Sequence, residues 1–163
     1  MDLPKRKQNR LANYDYSQNG AYFITICTKD KQNILWNETH VVGASSARQK
    51  YTLSDCGRIV DTAIMGIDKI YTTITIDKYV IMPNHIHMIL VIENDGRALH
   101  APTISHAVQQ MKGIVTKQIG HTIWQKSFHD HIIRGEKEYL KILEYMETNP
   151  LKWELDCYYI KEI

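Results

Sequence analysis

Several things are scarce in this sequence, and each shortage removes a class of function. Three cysteines, Cys27, Cys56 and Cys157, lie far apart, and no CxxC spacing occurs. Such a set builds neither a disulfide framework nor a structural zinc site, so reduced thiols in the cytosol are expected. No apolar run approaches the roughly 20 residues that cross a bilayer, and the N-terminus lacks a signal-peptide core. A Walker-type glycine loop is missing, so any chemistry on phosphates is expected to proceed without nucleotide hydrolysis. Internal repeats are absent too. The net charge is only +2, which permits a nucleic-acid partner without arguing for one.

What remains is one domain's worth of chain, residues 1–163, long enough to bury a core. The first 20 residues are polar and carry a basic arm, with Lys5, Arg6, Lys7 and Arg10 packed into "KRKQNR". A solvated arm and a phosphate-contacting arm are both open readings. Aromatic and β-branched residues at 21–28 predict a first strand. Residues 41–50 read as a loop. A helix is expected over 53–70, capped by Ser54, with Cys56, Ile59, Val60, Ala63, Ile64 and Ile67 on its apolar face. Strands follow at 73–82 and 85–92, separated by Pro83 and Asn84. A second helix is expected over 103–120, capped by Thr103, stopped by Gly120 and apolar along Ile104, Ala107, Val108, Met111, Val115 and Ile119. A fourth strand at 127–133, a helix within 134–150 ended by Pro150, and a tail at 151–163 complete the chain. The order is a split β-α-β-β-α-β unit: an α+β, ferredoxin-like antiparallel sheet with both helices on one face and a C-terminal helix beyond. The other sheet face is expected to stay open.

Within the strand "HIHMILVI", side chains alternate. Ile86, Met88, Leu90 and Ile92 form an apolar set for the helix side. His85 and His87 then share the opposite face, close enough to hold one metal ion. Two imidazoles with open positions suit a catalytic divalent ion better than a closed zinc site. A third ligand must come from elsewhere. A second pair, His129 and His131, also shares a strand face and competes for that part.

The last helix carries two tyrosines. Tyr139 falls on the apolar stripe with Ile142, Leu143 and Met146 and is expected in the core. Tyr145 projects from the flank, beside Lys141 and Asn149 at i−4 and i+4. A bare flank is usually solvent-facing, yet a nucleophile needs an exposed oxygen on a rigid element. With a divalent ion at the histidines polarising a phosphodiester, attack by Tyr145 would give a phosphotyrosine bond without nucleotide energy.

"MPNHIHMIL", "SFHDHIIRGEKEYLKILEYMETNP", "NGAYFITICT" and "WQKSFHDHII" together resemble the REP-associated tyrosine transposases, of the one-tyrosine superfamily named for its His-hydrophobic-His motif. The likeness runs from about residue 10 to 153. It implies single-stranded DNA as substrate, Mg²⁺ or Mn²⁺ as cofactor, His85 and His87 as metal ligands and Tyr145 as nucleophile. Asn149 takes the place of a polar metal ligand four residues after the nucleophile, with His129 or His131 as substitutes. The expected function is cleavage and transfer of single-stranded DNA next to hairpins, by a monomer or homodimer in the cytoplasm. An autonomous insertion-sequence transposase or a replication-initiator nickase would share this chemistry. A non-catalytic single-strand-binding module would instead place two or three aromatics on the open sheet face. Lys112, Lys117, Lys141 and the basic arm are the candidate phosphate contacts.

Overall fold

The computed structural model describes residues 14–37, 52–95 and 102–160. The basic arm with Lys5, Arg6, Lys7 and Arg10, and the loop at 41–50, lie outside the described residues. Four strands form one sheet: β1 (Gly20–Cys27), β2 (Ile74–Ile81), β3 (His85–Ile92) and β4 (His129–Ile133). Their order is β2-β3-β1-β4 and every neighbouring pair is antiparallel. This is the α+β, ferredoxin-like arrangement that the element order implied.

The core lies on one face. Tyr22, Ile24 and Ile26 of β1 and Ile86, Met88, Leu90 and Ile92 of β3 are buried there. They meet Val60 and Ile64 of α1 (Asp55–Met65) and Val108, Met111 and Val115 of α3 (Ile104–Ile119). Burying each of these large aliphatic side chains contributes roughly 1.5–3 kcal/mol. The helix ends follow from local chemistry. The Ser54 hydroxyl accepts from the Gly57 N–H, and the Thr103 hydroxyl from the His106 N–H. Gly120 closes α3 at φ 89°, a conformation that side chains disfavour. At Gly57 a Cβ would run into the Leu35 carbonyl oxygen, so only glycine lets α1 start against that segment.

Three expectations need correcting. The helix expected over 53–70 is two: α1 ends at Met65 and a short α2 (Ile67–Ile70) follows Gly66. The second sheet face is not open. It is covered by α4 (Glu136–Thr148) and by the 3₁₀ segment Asn149–Leu155 that continues it. Tyr139 is not core: it lies part-exposed over the sheet edge and its hydroxyl donates to Asp77 Oδ2 on β2 at 2.7 Å. Lys78 of β2 likewise donates to Glu147 of α4. The helix thus crosses β2 through polar contacts, and its stripe meets a mixed surface rather than an apolar one.

Candidate active site

Register places the site. β1 and β3 pair Thr25 with His87 and Cys27 with His85, so these side chains share the face away from α1 and α3. Both imidazoles are sealed, His85 at 0% and His87 at 1% exposure. Phe23 stacks on His87 with ring centroids 5.1 Å apart, and Tyr158 covers His85 at 4.5 Å. Trp153 lies beyond, 5.9 Å from His85. Burial pushes both imidazoles down to about 3, helped at His85 by Lys31 and at His87 by its neighbour His85. They are therefore neutral at physiological pH, the state that offers a lone pair to a metal.

The two Nε2 atoms converge at 3.0 Å. On the outer side, His85 Nδ1 meets Asn84 Oδ1 at 2.9 Å and His87 Nδ1 meets Thr25 Oγ1 at 2.8 Å. Tyr145 comes to the same point from α4. Its hydroxyl lies 3.2 Å from His87 Nε2 and donates to Asp156 Oδ2 at 3.2 Å. Burial and the Asp156 carboxylate push the phenol up from its ordinary value, so it is protonated until a base takes the proton. Tyr145 keeps 39% of its surface exposed, which makes it the open wall of the site.

Among the described residues, His85, His87 and Asp156 bring one donor atom each to within 4.8 Å of one another. Two imidazole nitrogens and a carboxylate oxygen are a donor set that suits a divalent ion able to bind a phosphate as well. Asp156 was not singled out in the sequence. It lies beyond Pro150, where no helical or strand period flags it. Asn149, the ligand that the resemblance implied, is 3% exposed at the end of α4 and its Nδ2 has no hydrogen-bond partner.

The other expected residues are spread wider. His129 and His131 face the same side as His87 but belong to β4, and β1 separates them from β3. Both are exposed, and His131 Nε2 pairs with Glu138 Oε1 at 2.7 Å. Lys112 and Lys117 line a cleft of 840 Å³ between α3 and residues 122–127, together with Lys29 and Lys126. Lys112 is committed there, donating to the Gln125 carbonyl oxygen at 2.6 Å, whereas Lys117 and Lys126 are exposed. The cleft adjoins the site through the backbone: Thr28, which follows β1, bridges to Trp124 of the cleft wall and takes the Asn84 carbonyl as acceptor. Lys141 is exposed on α4, one turn before Tyr145.

No family model matches the chain. A Haemophilus influenzae protein described as uncharacterized is 35% identical over 176 aligned residues, covering 95% of this chain and 93% of that protein. A second protein of that organism, described as "Putative REP-associated tyrosine transposase", is 26% identical over 156 residues, 87% of this chain and 77% of its own length. Among solved structures, a REP-associated tyrosine transposase bound to a REP hairpin shares the fold with a TM-score of 0.65. It is 20% identical over 88% of this chain and 74% of that one. In its fold, its histidine pair and these relatives, the chain is similar to the REP-associated tyrosine transposases.

Proposed function

We propose that the protein is a metal-dependent endonuclease and strand transferase for single-stranded DNA, cutting next to hairpins through a covalent 5′-phosphotyrosine on Tyr145. One observation carries this reading: the Tyr145 hydroxyl lies 3.2 Å from both His87 Nε2 and Asp156 Oδ2, all within one chain. The Tyr145 oxygen attacks the phosphorus of a phosphodiester. The bond from phosphorus to the 3′ oxygen breaks, the strand keeps its 5′ phosphate on tyrosine, and the 3′ oxygen leaves as a hydroxyl. Asp156 is placed to accept the phenol proton, because its carboxylate already receives that hydrogen bond. Return of the proton to the leaving oxygen balances the step. A bound Mg²⁺ or Mn²⁺ would neutralise charge developing on the phosphate oxygens. His85, His87 and Asp156 are the residues that would hold it. Trp153 and Tyr158 close the His85 end, so the strand enters beside Phe23 and Tyr145.

The hairpin is the DNA form proposed because the related transposase is described bound to one. The cleft with Lys29, Lys117 and Lys126, together with Lys141 and the basic arm, supplies the phosphate contacts. Chain 1–163 acts as one domain, with 134–150 as its tyrosine helix. A monomer suffices, since Tyr145 reaches the histidines of its own chain. The non-catalytic binding module is disfavoured by Phe23, whose ring stacks on His87 rather than standing free for a base. Incubating the chain with 5′-labelled and 3′-labelled single-stranded hairpins and Mn²⁺ tests the proposal. A slow-migrating protein–DNA band is expected with the 3′ label only, because tyrosine keeps the 5′ end of the downstream strand. No band with either label, or the band with the 5′ label, defeats it.

A further inference from the structure

Asn84 is fully buried, and every polar atom of its side chain has a partner. Its Nδ2 donates to the Tyr158 carbonyl at 2.9 Å and to the Lys31 carbonyl at 3.2 Å. Carbonyl oxygens only accept, so these two bonds fix which end of the amide is nitrogen. Lys31 itself sits at φ 53°, next to Asp30 at φ 54°, a left-handed pair that aims its carbonyl at Asn84. The Asn84 backbone is equally held, its carbonyl accepting from the Thr28 N–H at 2.9 Å and the Thr28 hydroxyl at 3.0 Å. The remaining atom, Oδ1, faces His85 Nδ1 at 2.9 Å and can only accept.

We infer that Asn84 is the positioning residue of the site, locking His85 as the tautomer with its proton on Nδ1 and its Nε2 lone pair turned inward. The rest of the network follows from that one anchor. With His85 Nε2 unprotonated, the 3.0 Å contact between the two Nε2 atoms needs a proton from His87. His87 Nδ1 is then an acceptor, and the Thr25 hydroxyl donates to it. The Tyr145 hydroxyl, donating to Asp156, lies 3.2 Å from the same His87 Nε2 and shares that single proton with His85. Thr25 differs from Asn84 in one respect: a hydroxyl both donates and accepts. His87 is therefore free to move its proton to Nδ1, with Thr25 turning to accept, when a cation takes the place between the imidazoles. One ligand is preset and the other adjusts. The consequence for metal rests on the function proposed above, whereas the tautomers do not.

The test reads tautomers first, in the metal-free full chain labelled with ¹⁵N. Long-range proton–nitrogen spectra at pH 7 should show His85 protonated at Nδ1 and His87 at Nε2. His85 protonated at Nε2 overturns the inference with no variant required. Asn84→Ala should release His85 to a mixture of tautomers and weaken Mn²⁺ binding about 10–100-fold, the usual cost of losing an orienting partner. Asn84→Asp keeps the acceptor and should restore the Nδ1 tautomer, although it loses the two amide donors. His85 remaining wholly Nδ1-protonated in a folded Asn84→Ala variant contradicts the role. Tautomers as stated, in a wild-type chain that binds no Mn²⁺, would uphold Asn84 and overturn the metal reading instead.

Discussion

His85-Ile86-His87 on β3 and His129-Asp130-His131 on β4 have the same spacing, and both pairs face the same side of the sheet. Thr25 of β1 lies between them, paired across one edge with His87 and across the other with His129. Two strand spacings, about 10 Å, separate the pairs. Their surroundings differ in every respect that matters for chemistry. The β3 pair is sealed by Phe23, Tyr145, Trp153 and Tyr158, and each imidazole has a defined partner on its outer nitrogen. The β4 pair is exposed at the sheet edge, where His131 and the Arg134 backbone N–H share the Glu138 carboxylate. Those contacts, the Arg134 bond foremost, hold Glu138 below the ordinary carboxylate range. Spacing alone therefore does not make two histidine pairs alike. Burial keeps imidazoles neutral, outer partners orient them, and α4 lays Tyr145 over the pair on the central strand.

The strongest way to sharpen this contrast is at Tyr145, the proposed nucleophile. Tyr145→Phe should lower formation of the covalent adduct by at least about 1,000-fold while the fold persists, since only a hydroxyl is removed. Tyr139→Phe should leave the adduct unchanged, because that hydroxyl bonds Asp77 at the sheet edge. Mapping the DNA-linked peptide decides between them, and an adduct on Tyr139, Tyr158 or Tyr159 would break the account.

Acid comes next. His85 and His87 are pushed down to about 3 in the folded chain, against an ordinary 6.5. As pH falls below 6.5 the unfolded chain takes up protons that the folded chain refuses. The favourable contribution is complete above pH 6.5 and is lost progressively toward pH 3, at up to about 1.4 kcal/mol per pH unit for each histidine. Denaturant titrations of the metal-free protein at pH 7, 6 and 5 should show that loss, and it should shrink in His85→Gln/His87→Gln. A stability that is flat over this range would contradict buried neutral imidazoles. Alanine is the wrong probe here: the pair was expected on an open face, and truncation at these sealed positions leaves a cavity.

Smaller effects belong to the periphery. Lys117→Ala with Lys126→Ala should flatten the salt dependence of single-strand binding by about 1.4 in log–log slope, at roughly 0.7 per phosphate contact. An unchanged slope would remove the cleft from the DNA path. His131→Gln should alter neither the melting temperature nor the adduct yield measurably, because it breaks only an exposed pair.

Much of the scaffold was legible because it obeys simple periods. Alternation along β3 separated Ile86, Met88, Leu90 and Ile92 from the histidines, and Ser54, Thr103 and Gly120 marked helix ends by their own chemistry. The covered second face was not legible, for a physical reason. A polar face reads as solvent-facing, yet here Thr25, Asn84, His85 and His87 satisfy one another and can be buried together. Asp156 and Tyr158 follow Pro150 in a segment without a period, so nothing in the pattern brings them to the histidines. Tyr139 was misplaced because a helical wheel records the helix and not the polar strand edge beneath it. The break at Gly66 is of the same kind, a glycine inside an otherwise continuous helical pattern.

Calorimetric titration of Mn²⁺ into the full chain tests the contrast between the two pairs most directly. One ion should bind to the wild type and with equal affinity to His129→Gln/His131→Gln, and binding should be lost in His85→Gln/His87→Gln. Equal affinity in the wild type and His85→Gln/His87→Gln, or a loss confined to His129→Gln/His131→Gln, would contradict the assignment of the ion to the β3 pair.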